Sequence, residues 1–512
     1  MKEFHLVAEE VQHEFAPGSV AKCWGYNGST PGPTIEVDEG DRVRIYVTNR
    51  LPEHTTIHWH GIDLPSGMDG VGGLTQPHIK PGETYQYEFT LKQHGTHMYH
   101  PHADEMVQLA VGMMGLFIIH PREPEPETID RDYAIVLHNW ALHPGTSRPD
   151  PSVMTEFDLW TFNSKVFPAI EPFVARSGER VRIFVTNRLK EHTTIHWHGL
   201  YLPSGMDGVG GLNQPHIQPG ETFVYEFTLR QHGTHMYHPH ADEMVQLAVG
   251  MMGLFIIHPK AGEPRPIDRD YCFLLHNWAL HPGTYRPDPS IMTEFDLWTF
   301  NSKVFPAIEP LVARTGERVR IRVGNLSMHE HPVHLHGVQF HVTGGDGGRL
   351  PENRWRTEVT ELVGVGQMRD IEFVAIPGDW ALHCHKSHHT MNAMGHGIAN
   401  PLGVDQRGVE QDIRALLPGY MAMGENGMGE HQDHTDSGHM QGPDNTLPMM
   451  MGKGPFGNLE MGGMFTVLKV RDELAPGDFR DPGPYRNPPG TVARRISADP
   501  DFGRPLRRAD VA

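Results

Sequence analysis

The chain has 512 residues with 43 Lys and Arg against 63 Asp and Glu, and its formal net charge of −20 disfavours nucleic acid as a partner. Its longest apolar stretch, residues 107–119, is too short to cross a bilayer, and its three cysteines cannot form a disulfide framework. Short runs rich in Val, Ile, Phe and Tyr alternate with turn signals among 56 Gly and 43 Pro, which predicts an all-β protein built of sandwiches.

Two histidine motifs lie in the first part of the chain. The sequence TIHWHG contains His58 and His60, and HMYHPHADEM contains His100 and His102. In each pair one residue separates the two histidines, and side chains two apart on a strand point to the same face. Each pair is therefore expected to present two imidazoles together.

Both motifs return at an offset of 138 residues, as His196 and His198, and then His238 and His240. The matching stretch runs from about residue 42 to 182 and again to about 320, which indicates a tandem duplication of a whole domain. With short linkers rich in Pro and Glu between them, we expect three sandwiches at 1–124, 125–262 and 263–470, followed by a tail at 471–512.

The third domain contains the pattern of an electron-transfer copper site. A thiolate, two imidazoles and a weakly bound thioether make up the blue-copper set. Cys384, His389 and Met394 are spaced five residues apart, and His331 lies upstream on a separate strand. The competing interpretation is a zinc site or a chance cluster among 37 histidines. Zinc needs neither an axial methionine nor a cysteine between imidazoles, which favours copper.

A second group of histidines surrounds this set. Because side chains alternate along a strand, Cys384 is expected to face one way and His383 and His385 the other. An electron arriving on the thiolate-bound copper is then one residue of backbone away from whatever these two histidines hold. His334 and His336 likewise place two imidazoles on one face.

An insertion rich in Met, Gly and His, at about residues 397–460, separates the copper motif from the last predicted strand. Thioethers favour Cu(I), so this segment could gather cuprous ions beside the electron-entry site. Alternatively, its composition is simply that of a flexible, solvated loop. The sequence leaves both interpretations open.

The histidine motifs, together with GYNGSTPGPTI at residues 25–35, resemble the multicopper oxidases, a family that includes laccases and ceruloplasmin. The resemblance covers about residues 20–470. It implies three cupredoxin-like Greek-key β-sandwich domains. In such enzymes one copper collects electrons from a reductant, and a cluster of three coppers passes four of them to dioxygen, making water.

The resemblance also implies four copper ions per functional unit: one type 1, one type 2 and two type 3. It assigns the type 1 ion to His331, Cys384, His389 and Met394, the type 2 ion to His58 and His334, and the type 3 pair to His60, His100, His102, His336, His383 and His385. Neither domain can provide the cluster alone, so we expect it at a domain interface.

The duplication creates a surplus of ligands. His196, His198, His238 and His240 are as competent as the histidines of the first domain, yet the third domain offers one complementary face. We expect the first domain to be the partner and the second domain's histidines to be empty or adventitiously metallated. A cluster between the first and second domains, without a blue centre, ranks below this. Neither of these domains has a cysteine at the position of Cys384, so one blue centre per chain is predicted.

Asp69 and its copy Asp207 match the carboxylate that family members place near the cluster. Dioxygen reduction consumes protons, and a positioned carboxylic acid can deliver them. The alternative is a turn residue, since Asp69 precedes Gly70. The family often has an acidic residue directly after the last type 1 histidine, but Thr390 stands there, so the proton route is only partly predicted.

These observations predict a laccase-like oxidase that couples one-electron oxidation of phenols, aromatic amines or Cu(I) to four-electron reduction of dioxygen to water. The rivals are a copper nitrite reductase and a copper storage or tolerance protein without turnover. The expected partners are a small-molecule reductant and dioxygen, with no nucleic acid and no membrane, and the chain is a monomer or a homo-oligomer such as a dimer. A periplasmic or secreted location is expected, although residues 1–20 show no signal peptide.

Overall fold

The computed structural model describes residues 1–16, 19–72, 74–123, 128–143, 146–153, 157–166, 169–281, 287–293, 295–386, 389–390, 452–455, 457–459, 463–489 and 491. Strands dominate these residues, and two short α-helices and three 3-10 turns accompany them. The prediction of an all-β protein with cupredoxin-like sandwiches is confirmed. Among the described residues, no helix is long and apolar enough to span a membrane.

The first sandwich consists of two four-stranded sheets, in the orders β2-β1-β4-β6 and β3-β8-β7-β5. Its elements are β1 (Lys2–Ala16), β2 (Ser19–Tyr26), β3 (Ile35–Asp38), β4 (Arg42–Asn49), β5 (His58–His60), β6 (Thr84–Thr90), β7 (Gly95–His100), α1 (Glu105–Ala110) and β8 (Gly115–His120). A 3-10 turn at Ser66–Met68 follows β5.

The second sandwich repeats this plan, with sheets β10-β9-β12-β14 and β11-β16-β15-β13. Its elements are β9 (Arg131–Trp140), β10 (Leu159–Phe162), β11 (Phe173–Arg176), β12 (Arg180–Asn187), β13 (His196–His198), β14 (Thr222–Thr228), β15 (Gly233–His238), α2 (Glu243–Ala248) and β16 (Gly253–His258). A 3-10 turn at Ser204–Met206 follows β13.

The third sandwich keeps the same framework and widens it. Its elements are β17 (Arg269–Trp278), β18 (Leu297–Phe300), β19 (Leu311–Arg314), β20 (Arg318–Asn325), β21 (His331–Leu335), β22 (Phe340–Gly345), β23 (Gly348–Arg349), β24 (Arg356–Glu358), β25 (Thr360–Val363), β26 (Met368–Val374), β27 (Gly378–Cys384), β28 (Gly452–Gly454), β29 (Gly457–Leu459) and β30 (Phe465–Arg471), with a 3-10 turn at Glu352–Arg354. One sheet runs β18-β17-β20-β26-β22-β23, with β24 on β22, and the other runs β19-β30-β27-β21-β25. Strand β30, which follows the insertion, pairs with β27 as β8 pairs with β7.

Strict alternation of apolar residues builds each core. In β4, Val43, Ile45 and Val47 are fully buried between the two sheets, while the residues between them face outward. Each such side chain contributes about 1.5–3 kcal/mol by leaving water. The histidine strands use the same period: Trp59 and Trp197 fill the cores, and the histidines on either side of each tryptophan project from the opposite face.

Consecutive domains pack head to tail. The outer face of β7 in the first domain places Met98 against the second domain, where Nε of Arg188 lies 3.0 Å from its sulfur. In the same way β15 of the second domain packs on β20, β22 and β26 of the third. Gly324 permits this second contact, because a Cβ there would lie 2.7 Å from Sδ of Met236.

Candidate metal centres

Three of the four predicted blue-copper ligands meet in the core of the third domain. Strands β21 and β27 pair so that Val333 lies opposite Cys384, and the side chains of His331, Cys384 and His389 are fully buried. The sulfur of Cys384 lies 3.6 Å from Nδ1 of His331 and 3.5 Å from Nδ1 of His389, and the two nitrogens are 3.1 Å apart. A tetrahedral first-row metal ion bound by imidazole and thiolate separates such donors by roughly 3.3–3.6 Å, and the three distances depart from this range by no more than about 0.2 Å. The three residues therefore fit a single ion.

Ser327 sets the orientation of one ligand. Its Oγ lies 2.7 Å from Nε2 of His331, and it donates its own hydrogen bond to Asn325 Oδ1 at 2.7 Å or to the carbonyl of His329 at 2.8 Å. His331 therefore donates from Nε2 and keeps Nδ1 unprotonated towards Cys384, as metal ligation requires. Burial raises the pKa of the Cys384 thiol to about 12. A bound cation is what makes this sulfur a thiolate at neutral pH.

The outer edge of His389 is covered by two aromatic rings that the sequence did not single out. Trp298 stacks on it with ring centroids 5.0 Å apart, and His329 stacks at 5.3 Å with Nδ1 3.2 Å from Nε2 of His389. His329 is partly exposed, so it lies between the buried ligand and the surface. Because His329 lies two residues before His331, the sequence could have suggested that it lies near this ligand group.

Met394, the predicted axial ligand, and most of the Met- and His-rich insertion predicted at about residues 397–460 lie outside the described residues. The assignment of Met394 therefore stays a prediction.

A second group of histidines projects from the outer face of β21 and β27. His334, His336 and His383 place their ligand atoms within 4.8 Å of one another, and Nε2 of His336 lies 3.2 Å from Nε2 of His383. His385 is close by, with its ring 5.4 Å from that of His334. His336 and His385 are exposed, whereas Cys384 between the flanking histidines faces the core. This is the alternation that the sequence predicted.

The first domain forms a similar group. His58, His60 and His100 lie within the same 4.8 Å limit, with Nδ1 of His60 3.2 Å from Nε2 of His100. The ring of His102 is 5.7 Å from that of His58, and its side chain is exposed. Nδ1 of His100 donates to the carbonyl of Pro101 at 2.9 Å, which leaves Nε2 for a metal.

The second domain reproduces this geometry. His196, His198 and His238 lie within 4.8 Å, and Nδ1 of His198 is 3.3 Å from Nε2 of His238. The ring of His240 lies 5.5 Å from that of His196. Nδ1 of His238 donates to the carbonyl of Pro239 at 2.8 Å. The histidines of the two copies are therefore arranged in the same way, and either set could hold a metal ion.

Asp69 and Asp207 each contact a ligand. The carbonyl of Asp69 accepts from Nδ1 of His58 at 2.9 Å, and its carboxylate Oδ1 lies 3.3 Å from the same nitrogen. Asp207 contacts His196 in the same way, at 2.8 and 3.5 Å. Both interpretations of Asp69 retain support, because Gly70 behind it has φ +84° and a Cβ there would collide with the carbonyl of Ile57. The role of these carboxylates as proton donors stays a prediction.

Burial favours the neutral form of several of these imidazoles. It lowers the pKa of His60 to about 4, of His100 to about 3 and of His238 to about 3, and the nearby charge of Arg188 lowers the pKa values of His60 and His100 further. Burial also lowers the pKa values of His336 and His383. Neutral imidazoles can bind a metal ion without first losing a proton.

In the first two domains, a pair of hydrogen-bonded polar residues occupies the position that corresponds to the blue centre. Thr55, at the position of His331, donates to Oε1 of Gln108 at 2.7 Å, and Thr193 donates to Gln246 at 2.6 Å. All four side chains are fully buried. Among the described residues, the cysteine-containing metal group is that of the third domain.

None of the ligand groups found among the described residues combines histidines of the first domain with histidines of the third. Within the described part of the chain, each of the four ligand groups draws its residues from one domain. The group of the first domain adjoins Arg188 of the second, and that of the second domain adjoins Leu326 and Gly366 of the third. The third domain's outer histidines remain exposed.

Family models place this arrangement among known proteins. One model described as a multicopper oxidase matches residues 8–124 and again 146–262, and a second with the same description matches residues 282–402. Together these ranges cover more than half of the chain.

Individual relatives agree with the models. Multicopper oxidase MmcO of Mycobacterium tuberculosis is 26% identical over 445 residues, which covers 74% of this chain and 83% of that protein. Copper resistance protein A of Escherichia coli is 46% identical over 123 residues, which covers 24% of this chain and 20% of that protein. Among solved structures, the blue copper oxidase of Nitrosomonas europaea is 30% identical with a TM-score of 0.43, covering 51% of this chain and 80% of that one.

Proposed function

The chain belongs to the multicopper oxidases and is a copper-dependent oxidoreductase, and we propose that it oxidises phenols, aromatic amines or Cu(I) one electron at a time while reducing dioxygen to water. The observation that carries this proposal is the position of Cys384 between two histidines of β27. Its sulfur faces the core group, and His383 and His385 project from the opposite side of the same strand. Bound copper supplies the redox chemistry in both groups.

Strand β27 therefore connects the ligand group that receives electrons to the ligand group that uses them through covalent bonds. An electron received at Cys384 reaches the outer group through the backbone of one residue in either direction. Four such electrons and four protons convert one dioxygen molecule to two waters. A storage protein has no need of a buried thiolate connected in this way, which favours turnover.

We further propose that four copper ions bind per functional unit: one type 1 ion in the buried group, and a type 2 ion and a type 3 pair shared by the first and third domains. The ligands are those assigned by the family resemblance. The exposed His102 of the first domain and the exposed His336 and His385 of the third are free to meet across such an interface. Because no ligand group among the described residues combines the two domains, we assign the second half of the cluster to another copy, which predicts a homodimer.

Asp69 is the carboxylate placed to serve this cluster. Its Oδ1 lies 3.3 Å from Nδ1 of His58, and its side chain is partly exposed, so it can exchange protons with solvent. We assign it the delivery of protons to bound dioxygen. Asp207 occupies the matching position in the second domain.

Oxygen consumption by the copper-loaded protein tests the reaction. The oxidation of a substituted phenol and of Cu(I) is measured in parallel, and four equivalents of reductant are expected to be consumed for each dioxygen. Production of hydrogen peroxide in place of water, or the absence of oxygen uptake with every reductant, contradicts the proposal.

Subunit mixing tests the shared cluster. One inactive variant carries His100→Ala with His102→Ala, and the other carries His383→Ala with His385→Ala. If clusters form between copies, half of the randomly mixed dimers are mixed and each has one intact cluster, so about a quarter of the wild-type activity returns. If each cluster forms within one chain, the mixture stays inactive.

A further inference from the structure

The second domain holds a set of metal ligands that the proposed reaction does not use. His196, His198 and His238 converge within 4.8 Å. Carbonyls of Asp207 and Pro239 accept hydrogen bonds from His196 at 2.8 Å and from His238 at 2.8 Å. Such partners fix the ring orientation and the tautomer, which is how metal sites are preorganised. The histidines of this group have the same backbone hydrogen-bond partners as those of the first domain.

The surroundings of the two copies differ in charge. The first domain's histidines face Arg188, whose positive charge lowers the pKa values of His60 and His100 in addition to burial. A cation at this place also repels a metal ion bound by those rings. The corresponding position of the third domain, facing the second domain's histidines, is Leu326, which is apolar and buried.

An acidic residue of the third domain adds to this difference. Glu243, whose Oε1 lies 3.5 Å from Nδ1 of His238, does not, because Glu105 stands at the matching position of the first domain. The negative charge of Asp346 acts on His198 and opposes the lowering of its pKa by burial. The second domain's histidines therefore face an acidic group of the third domain and an apolar Leu326 where the first domain's histidines face a guanidinium, so the charges around them do not oppose a bound cation.

A cavity of about 230 Å³ extends from these ligands to the third domain. Its walls include His196, His198, His238, Leu326, Ser327 and Met328. Met328 brings a half-exposed thioether to its wall. Imidazole and thioether together suit copper, and the thioether favours its cuprous state.

We propose that His196, His198 and His238 bind one copper ion at the interface of the second and third domains, separate from the dioxygen-reducing cluster. The wall residue Ser327 connects this site to the blue centre, because its Oγ lies 2.7 Å from Nε2 of His331. The binding of this ion does not depend on the proposed function.

Copper counting on the full-length protein tests the site. After loading and gel filtration, His198→Ala with His238→Ala is expected to contain one copper ion fewer per chain than the wild type, with the blue absorption retained. The control is His192→Ala, an exposed histidine of the same domain whose ring meets that of His216 edge to face with centroids 4.5 Å apart, and its copper content is expected to match the wild type. An unchanged copper count in the double variant overturns the proposal. So does the loss of the cluster's copper ions, since the second domain would then complete the cluster.

A second variant leaves every ligand in place. Leu326→Arg gives the second domain's site the cation that the first domain's site already faces. Competition with a chromogenic Cu(I) chelator is expected to show binding at this site weakened by about tenfold or more. Leu326→Ile is the matched control, because it brings neither a charge nor a metal-binding atom, and it should bind as the wild type does. Equal affinities of the Arg and Ile variants overturn the proposal, whether or not the protein reduces dioxygen.

Discussion

The Oγ of Ser327 lies 2.7 Å from Nε2 of His331, and this contact decides which nitrogen of the ligand faces Cys384. The hydroxyl oxygen accepts a hydrogen bond from the ring N–H, because the hydroxyl hydrogen itself is directed to Asn325 or to the carbonyl of His329. The same serine lines the cavity in front of the second domain's histidines. One side chain thus links the buried ligand group to the domain interface.

Ser327→Ala is expected to weaken copper binding at the blue centre by about 10–100-fold, because the ring of His331 loses the partner that fixes its tautomer. Chelator competition followed through the blue absorption measures this change. Ser327→Thr keeps the hydroxyl and serves as the control. Equal affinity of the Ala variant and the wild type would show that burial alone holds the ring.

Cys384→Ser should abolish the blue colour of the copper-loaded protein and stop the oxidation of every reductant, since the sulfur is the donor of the charge-transfer absorption and the route to His383 and His385. The readouts are the visible spectrum and oxygen uptake. The outer group keeps its histidines, so the variant should still bind copper there. A blue variant, or a colourless wild type at full copper occupancy, contradicts the assignment.

The sequence predicted most of the local geometry, because the period of a strand decides it. The opposed faces of Cys384 and His383 follow from alternation alone, and the duplicated histidine pairs follow from the repeat. The loss of the blue centre in the first two domains was likewise readable from its missing ligands. The structure adds what occupies that position in the first domain: Thr55 and Gln108 lie there and are hydrogen-bonded to each other.

The neighbours of each ligand group could not be predicted. Arg188 and Leu326 occupy matching positions in consecutive domains, and either residue type is ordinary at the end of a strand. Their effect appears once head-to-tail packing places them in front of the preceding domain's histidines. The same holds for Trp298 and His329, which lie far apart in the sequence and stack on His389 only after folding.

Buried charges join the second and third domains, and removing one partner should be costly. Nη1 of Arg322 donates to Oγ1 of Thr234 at 2.9 Å, Thr234 donates to Asp370 at 2.6 Å, and Nε of Arg322 donates to Asp270 at 2.7 Å. Arg322→Met leaves the buried Asp370 uncompensated and is expected to lower the free energy of unfolding by about 3–5 kcal/mol. Urea denaturation measures the loss. Adding Asp370→Leu to this variant should recover part of the lost free energy of unfolding. A further decrease in that free energy would contradict the idea that the uncompensated Asp370 is the cause.

Acid should weaken a neighbouring part of this interface. Burial alone would raise the pKa of Glu372, but the hydrogen bond from Arg349 and the charges of Arg320 and Arg349 outweigh it and hold the pKa below the ordinary value of 4.5. The unfolded chain therefore takes up the proton first as pH falls, so the stabilisation is complete above about pH 4.5 and is lost below it. The difference in unfolding midpoint between wild type and Glu372→Gln should shrink between about pH 7 and about pH 4. A constant difference over that range would show that the charge of Glu372 is not what stabilises the contact.

The duplication allows a direct test of which domain completes the dioxygen-reducing cluster. His100→Ala with His102→Ala removes ligands assigned to the cluster. Loss of a residue that only orients a ligand typically reduces activity by about 10–100-fold, and this double substitution should reduce oxygen uptake by more than that. The blue absorption should persist, because His331, Cys384 and His389 lie in another domain. The matched variant, His238→Ala with His240→Ala, should continue to reduce dioxygen with a phenol as reductant. The reverse result, with the second domain's pair essential and the first domain's dispensable, would mean that the third domain's exposed histidines pair with the second domain of another copy.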